Sequence, residues 1–322
     1  MNTNYNELRL LIKIATLYYT ENLKQAEIAK QLNLSQSQVS RALSRCLKDG
    51  LVKISVVQPQ NIFVDLEREL QTKFGFSQAV IVDVPEHANN EQIRVAIGSA
   101  AAHYVQSTLQ KDDLVGISSW SETIRAMIDS MHPLTTKASG VVQILGGVGQ
   151  NGNLQANILT QSLARLLGSD AYLLPATGMD RSKEEKSRLL NSPEVAEVAA
   201  LFGQITVALI GIGSMEPSTL LRNSGNYYNE EKASELIERG AIGDICLHYY
   251  DGKGQPVLEE GEDPVISMSL KQLHDCPRVV ALAGGQDKVE AIRGGLLGGY
   301  IDVLITDRLT AQSLIMSNNT SD

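Results

Sequence analysis

One stretch of this chain presents the side chains needed to read a polyanion. From Ser35 to Lys48 the non-apolar positions are Ser35, Gln36, Ser37, Gln38, Ser40, Arg41, Ser44, Arg45 and Lys48, all donors or acceptors and none acidic. A recognition helix needs hydrogen-bonding groups near its N-terminus for base edges and positive charge for phosphate. Glutamine can bond adenine through two contacts, and arginine can do the same to guanine. Gln36, Ser37 and Arg41 are therefore expected to read bases, and Lys30, Arg45 and Lys48 to meet phosphate. Ser35 and Gln38 also have capping-box spacing, which leaves Gln38 open between cap and reader.

A second chemistry resides in four segments rich in glycine and hydroxyls. They are Gly116-Ile117-Ser118-Ser119-Trp120-Ser121, Gly146-Gly147-Val148-Gly149, Gly211-Ile212-Gly213-Ser214 and Gly284-Gly285-Gln286. Glycine lets backbone amides approach a ligand, and a helix N-terminus favours an anionic group. Gly147 to Gly152 also matches GxGxxG. A dinucleotide site needs an acidic residue at the end of the next strand, however. That strand ends Leu174-Pro175-Ala176-Thr177, and Asp170 lies at its beginning. No cofactor is expected. Cys46, Cys246 and Cys276 form no CxxC, so neither a metal site nor a disulfide framework is expected, and three thiols suit a reducing cytoplasm.

The elements that must position these groups follow from periodicity. Glu7 to Tyr19 predicts a helix with Leu8, Leu11, Ile12, Ala15 and Tyr19 inward, and Lys24 to Gln31 predicts a second. Ser35 to Lys48 predicts a third, with Val39, Ala42, Leu43, Cys46 and Leu47 on its apolar face. Only Asn33 and its neighbours separate the second from the third, and Ala29 is small enough for the crossing; this is helix-turn-helix spacing. Leu51 to Val57 alternates like a wing or a simple edge strand. Asn61 to Phe74 predicts an amphipathic helix, either a connector that joins protomers or merely the first helix of the body, the connector being preferred.

From Ala79 onward, apolar runs alternate with helical stretches. The expected strands are Ala79–Val82, Leu114–Ile117, Val141–Leu145, Ala171–Leu174, Thr206–Ile210, Asp244–Tyr250, Arg278–Ala283 and Asp302–Ile305. This alternation predicts a doubly wound, mostly parallel, Rossmann-like sheet with ligands at the carboxyl ends of its strands. The expected organisation is an α/β chain with a small all-α head, winged or not, over 1–58. A linker or oligomerisation helix follows over 59–76, an effector domain over 77–316 and a disordered tail over 317–322.

Composition is consistent with that division. The 322 residues are 43% apolar and 20% charged, which allows a buried core in each of two domains. Aromatics at 5% disfavour a base-stacking protein. Residues 1–58 carry eight basic and four acidic side chains, a balance of +4, whereas the whole chain carries −9 and the remaining 264 residues therefore −13. A basic segment on an acidic body suits a small polyanion-binding module attached to a domain of another purpose. No membrane association is expected, because no window approaches 18 uninterrupted apolar residues. Met1-Asn2-Thr3-Asn4 lacks the basic and apolar regions of a signal peptide.

The order of these pieces resembles the SorC/DeoR family of bacterial sugar-responsive transcriptional regulators. The resemblance rests on Gln25-Ala26-Glu27-Ile28-Ala29 with Val39-Ser40-Arg41, on Gly116 to Thr123, and on Gly146-Gly147. Its more specific pieces are Gly243-Asp244-Ile245-Cys246, Ala283-Gly284-Gly285-Gln286-Asp287-Lys288, and Gly299-Tyr300-Ile301 with Thr306-Asp307. It implies a head that binds double-stranded operator DNA, a domain resembling sugar-phosphate isomerases and deaminases, a sugar or sugar-phosphate effector, and a homo-oligomer, typically a tetramer. It also implies that Asp244 and Lys288 contact the effector. Ser118, Ser119, Trp120, Ser121 and Thr123 would hold its phosphate end, and Gly146, Gly147, Asn157 and Gly285 would line the pocket. Two positions depart from the family pattern. Asn33 replaces a glycine, and Ser121-Glu122 stands where Gly-Arg is common, which sets a carboxylate near the phosphate end. An enzyme with an accessory DNA-binding head is the alternative. It needs a paired acid and base, yet His87, His103, His132, His248 and His274 lie outside the glycine turns.

Overall fold

Runs of β-branched and aliphatic residues too short for helices condense into one sheet whose two faces are both covered. In the computed structural model, which describes residues 2–52, 62–135, 137–147, 152–178, 183–216, 230–259 and 261–317, the chain divides into two compact units, 1–59 and 60–322.

The first unit is helical. It contains α1 (Asn2–Ala15), continued by a π-helical turn over Thr16–Thr20, then α2 (Gln25–Leu32) and α3 (Gln36–Lys48). Ile14, Leu17, Ile28, Ala29, Val39 and Leu43 form its core, with Leu11, Ala15 and Cys46 beside it. Leu8 and Ile12, expected inside, are exposed, as is Leu47. Both rows of α1 are apolar, and only the Leu11–Ile14–Ala15 row meets the other helices. Between α2 and α3, Asn33 adopts φ 55°, the left-handed conformation that asparagine tolerates better than most residues. Asp49-Gly50 turns as expected, with Gly50 at φ 71°. The wing or edge strand expected over 51–57 lies outside the described residues from 53 onward.

The second unit opens with α4 (Val64–Phe74) and β1 (Gln78–Val82). After these come α5 (Asn90–Thr108), β2 (Leu114–Ile117), α6 (Glu122–Ser130), β3 (Gly140–Gln143), α7 (Gly152–Leu166) and β4 (Ala171–Tyr172). Two short helices, α8 (Lys183–Leu190) and α9 (Pro193–Ala199), lead to β5 (Val207–Gly211) and β6 (Gly213–Ser214). Then come α10 (Glu230–Glu238), β7 (Ala241–Ile245), β8 (His248–Asp251), α11 (Leu270–His274) and β9 (Val279–Leu282). The unit closes with α12 (Val289–Leu297), β10 (Val303–Asp307) and α13 (Arg308–Met316).

Seven strands form an all-parallel sheet in the order β1-β10-β9-β5-β2-β3-β4. Alternate residues feed two cores, one on each face. Val141, Leu209, Val280 and Ile305 enter one, while Val142, Ala208, Ala281 and Leu304 enter the other. After β4 the chain returns to the far side of β2, so the strand order reverses between β2 and β5. Such a switch point leaves a crevice at the carboxyl ends of the strands.

Two expectations need correction. Asp244 to Tyr250 is not a strand of the main sheet. It forms the facing arms of a β7–β8 hairpin within a separate antiparallel sheet, β6-β7-β8. Its two-residue turn, Cys246-Leu247, has φ of 54° and 67°. Turns of this kind normally use Asn-Gly, so the sequence carried no turn signal. Tyr250, fully buried, anchors the hairpin by donating to the Ala291 carbonyl at 2.8 Å.

Residues 59–76, expected first as a linker or oligomerisation helix, contribute α4 to the body, the other reading that their amphipathic pattern allows. Leu70 is wholly buried in the body core. Gln71 Oε1 and Glu67 Oε1 accept from the Ala79 and Ile81 amides at 3.3 and 3.0 Å. They thereby occupy donors along β1, an edge strand that would otherwise present them unpaired. The tail expected over 317–322 lies outside the described residues beyond Ser317.

Candidate functional site

The face expected to read DNA is built by α3. Ser35 Oγ accepts from the Gln38 amide at 3.3 Å, and Gln38 Oε1 accepts from the Ser35 amide at 2.8 Å. The cap therefore occupies Gln38 Oε1 and leaves its Nε2 without a hydrogen bond among the described residues. Gln36, Ser37, Ser40, Arg41, Arg45 and Lys48 are exposed, but their charges are not equally available. Arg45 bonds Glu7 at 2.5 Å and Asp49 at 3.1 Å. Among the described residues no ion pair engages Arg41 or Lys48, which leaves them as the freer cations of this face.

In the body, a cavity of about 450 Å³ opens at the switch point. The turn from β2 into α6 supplies Ser118, Trp120, Ser121 and Thr123. β6, which follows β5, supplies Gly213, the turn between β9 and α12 supplies Lys288, and the hairpin supplies Asp244. Six of the expected effector contacts thus meet around one space.

Asp244 is buried and pairs across the small sheet with Gly213, where an added methyl would overlap its Oδ1. Its Oδ2 accepts from the Leu247 amide at 2.9 Å, across the tight turn. Non-glycine residues at positive φ cost of order 1–3 kcal/mol each and persist where surroundings enforce them. Here the enforcing partner is the site carboxylate itself. Burial pushes Asp244 up from an ordinary 3.8 to about 6, partly offset by the Leu247 amide, Lys288 and His248. Burial lowers Lys288, opposed by Asp287 and Asp244, and its Nζ donates to the Ile212 carbonyl at 2.7 Å. The buried Cys246 thiol, bonded to Ser118, is pushed up to about 12.

The raised pKa of Asp244 has a consequence for stability. Its folded value exceeds its unfolded value, so burial costs nothing while both states are protonated, below about 4. The penalty grows as pH rises toward about 6 and persists above it. Asp244→Asn removes that penalty. The melting temperature of the variant should therefore rise relative to the parent between pH 4 and pH 7. A gap that shrinks over this range would show that the ionised carboxylate is stabilising.

Five expected contacts do not line the cavity. Ser119 is buried with its hydroxyl 3.3 Å from that of Thr160 on α7. At Gly146 an added methyl would overlap the Thr177 carbonyl, and the Gly146 and Gly147 amides bond the carbonyls of Ile266 and Ala176 at 3.0 and 2.8 Å. These glycines allow two backbones to pass closely. The Gly285 amide bonds Asp307 Oδ2 at 3.0 Å and Thr310 Oγ1 at 2.8 Å. Gly285 therefore shapes the loop that carries Lys288. Asn157 lies partly exposed on α7.

Sequence reasoning missed Asn90 and Arg94 of α5, which line the cavity. They belong to a stretch whose only visible pattern is that of a helix. Arg94 ion-pairs with Glu122, so the carboxylate that departs from the family pattern is neutralised within the site. Also unforeseen is a chain behind the hairpin. His248 Nδ1 lies 2.5 Å from Asp263 Oδ2, and Nε2 lies 2.6 Å from Ser267 Oγ, beside a second cavity of about 900 Å³. Hydrolases use this residue order, with the serine hydroxyl donating to histidine. Here Ser267 Oγ also reaches the Cys246 carbonyl at 3.2 Å, so the chain ties the strained turn to segment 263–267. The GxGxxG run lies largely outside the described residues, at 148–151. Among the described residues, no cluster of three or more His, Cys, Asp or Glu could hold a metal ion, and no helix is long and apolar enough to cross a membrane.

With the geometry established, comparison with known proteins gives a consistent result. Residues 58–316 match the family described as "Putative sugar-binding domain", and residues 14–53 match winged helix-turn-helix DNA-binding. The chain is 30% identical to the sorbitol operon regulator of Klebsiella pneumoniae over 97% of its own length and 99% of the relative's. It is 31% identical to the deoxyribonucleoside regulator of Bacillus subtilis, over 95% and 97% respectively. The crystal structure of full-length SorC from Klebsiella pneumoniae superposes with a TM-score of 0.71, at 28% identity, over 96% of this chain and 98% of that one.

Proposed function

From the premise that the chain belongs to the SorC/DeoR family of sugar-binding transcriptional regulators, we propose that it is a cytoplasmic regulator whose operator affinity is set by a small sugar-type effector at the β2–β5 switch point. The regulator itself, a helix-turn-helix head with a sugar-binding body, follows from the family. The location of the effector and the residues that hold it are the proposed part. The carrying observation is that Asp244, Lys288 and the Ser118–Thr123 turn, spread over 171 residues of chain, converge on one cavity. A carboxylate accepts from sugar hydroxyls, and an ammonium donates to hydroxyl or phosphate oxygens. The relatives are named as regulators, and the enzyme reading draws no support from them. The test is operator affinity measured against effector concentration for the parent and Lys288→Ala. The reading requires that the variant need more effector.

Assembly is proposed as a homo-oligomer, of tetramer type by family. A single helix-turn-helix buries little surface on DNA, so operator-grade affinity calls for two heads on half-sites about one helical turn or a multiple apart. The apolar face of α4, first assigned to joining protomers, is largely consumed inside the body by Leu66, Leu70 and Phe74. Other surfaces must therefore contribute most of the contact. Sedimentation should give a mass above that of the monomer at micromolar protein. A monomer with and without DNA would exclude paired heads.

A further inference from the structure

The effector cavity has an unusual charge inventory for a pocket that takes a phosphate. Among the described residues lining it, the cations are Arg94 and Lys288, and the carboxylates are Glu122, Glu216, Asp244 and Asp287. Both cations are already engaged. Arg94 pairs with Glu122, while Lys288 Nζ donates to the Ile212 carbonyl and lies in the field of Asp287 and Asp244. The other feature that normally attracts phosphate, the start of α6, is occupied as well. Ser121 Oγ accepts from the Ile124 amide at 3.3 Å, and Glu122 supplies a carboxylate at the first helical position. A phosphate dianion there would have to displace Glu122 from Arg94 or sit against it, and like charges a few ångströms apart repel strongly in a partly dry site. A neutral polyhydroxylated molecule meets no such barrier. Its hydroxyls donate to carboxylate oxygens, and they can accept from the ammonium and guanidinium edges.

We infer that the effector of this cavity is an uncharged polyol or free sugar rather than its phosphate ester, with the Glu122–Arg94 pair as the element that excludes phosphate. This inference rests on the cavity being the sugar site, and its test separates the two claims. With the full-length protein, thermal unfolding and operator binding are measured against four- to six-carbon polyols and sugars, and against their monophosphates. Inorganic phosphate is titrated separately, with chloride matching ionic strength. The expected result is that at least one neutral compound acts and its monophosphate is weaker by about tenfold or more. Inorganic phosphate should give no saturable shift in the parent. Glu122→Gln, which frees Arg94, should acquire saturable phosphate binding that Arg94→Ala in the same background removes. A monophosphate acting as strongly as its neutral parent, or saturable phosphate binding by the parent protein that Lys288→Ala abolishes, overturns the inference and leaves the sugar site standing. If neither series acts and Glu122→Gln gains no phosphate binding, the sugar-site reading fails and the inference falls with it.

Discussion

Asp244→Ala is expected to weaken the response to effector about ten- to hundredfold while operator affinity without effector stays near the parental value. The carboxylate is buried, with Oδ2 fixed by the Leu247 amide. Its alanine variant leaves ligand hydroxyls without their acceptor. A hydrogen bond to a charged group contributes roughly 1.5–3 kcal/mol, and about 1.4 kcal/mol is a factor of ten. The loss should be specific, because Asp244 belongs to the second compact unit and the reading face to the first. Effector can change DNA affinity only by favouring one arrangement of the heads over another. A variant that cannot bind effector should therefore bind the operator as the parent does without it. Ser119→Ala is the matching control. That hydroxyl lies in the same turn but contacts Thr160 instead of the cavity, so the effector response should not change. If Asp244→Ala responds at the parental effector concentration, the cavity assignment is wrong. If Ser119→Ala alone loses the response, the β2–α6 turn faces its ligand from the other side.

Arg41→Ala should cost about 1–3 kcal/mol of operator affinity and relax preference at the base pair it reads. Arg41 is exposed on α3, two positions beyond the buried Val39, and no ion pair among the described residues competes for it. Lys48→Ala should act differently. It should weaken binding to all sequences and lower the slope of log affinity against log salt by about one. Arg45→Ala should cost less than its charge suggests, because DNA must first compete with Glu7 and Asp49 for the guanidinium. Binding to operator and to unrelated duplex across a salt series separates these cases. Undiminished operator preference in Arg41→Ala would place the recognition contacts elsewhere on the head.

Much of the architecture was legible because its determinants are local. The capping box at Ser35, the apolar row Val39–Leu43–Cys46 and the tolerance of Asn33 for a left-handed turn are patterns set by residue types within about one turn of each other. The strands of the large sheet were legible for the same reason, as short apolar runs between helices. The β7–β8 hairpin was not. Cys246-Leu247 resembles strand interior, and only its surroundings hold it at positive φ: the Asp244 carboxylate on one side and the Ser267–His248 chain on the other.

By itself the sequence determined that a helix-turn-helix precedes a parallel α/β body and that glycine turns gather at the carboxyl edge of the strands, while Asp244 and Lys288 became ligand candidates through the family resemblance. The tertiary structure decided which turns face the cavity. Gly146 and Gly147 are closed against residues 176–178, and the Gly285 amide is taken by Asp307, so three glycines that resemble ligand contacts serve the chain's own packing. Arg94, with no motif around it, reaches Glu122 from a different helix and sets the charge of the site. The physical reason is the same in each case. A helix cap or an apolar period depends on neighbours within about one turn, whereas a close backbone crossing or an ion pair depends on where two distant segments meet, and no local pattern records that meeting.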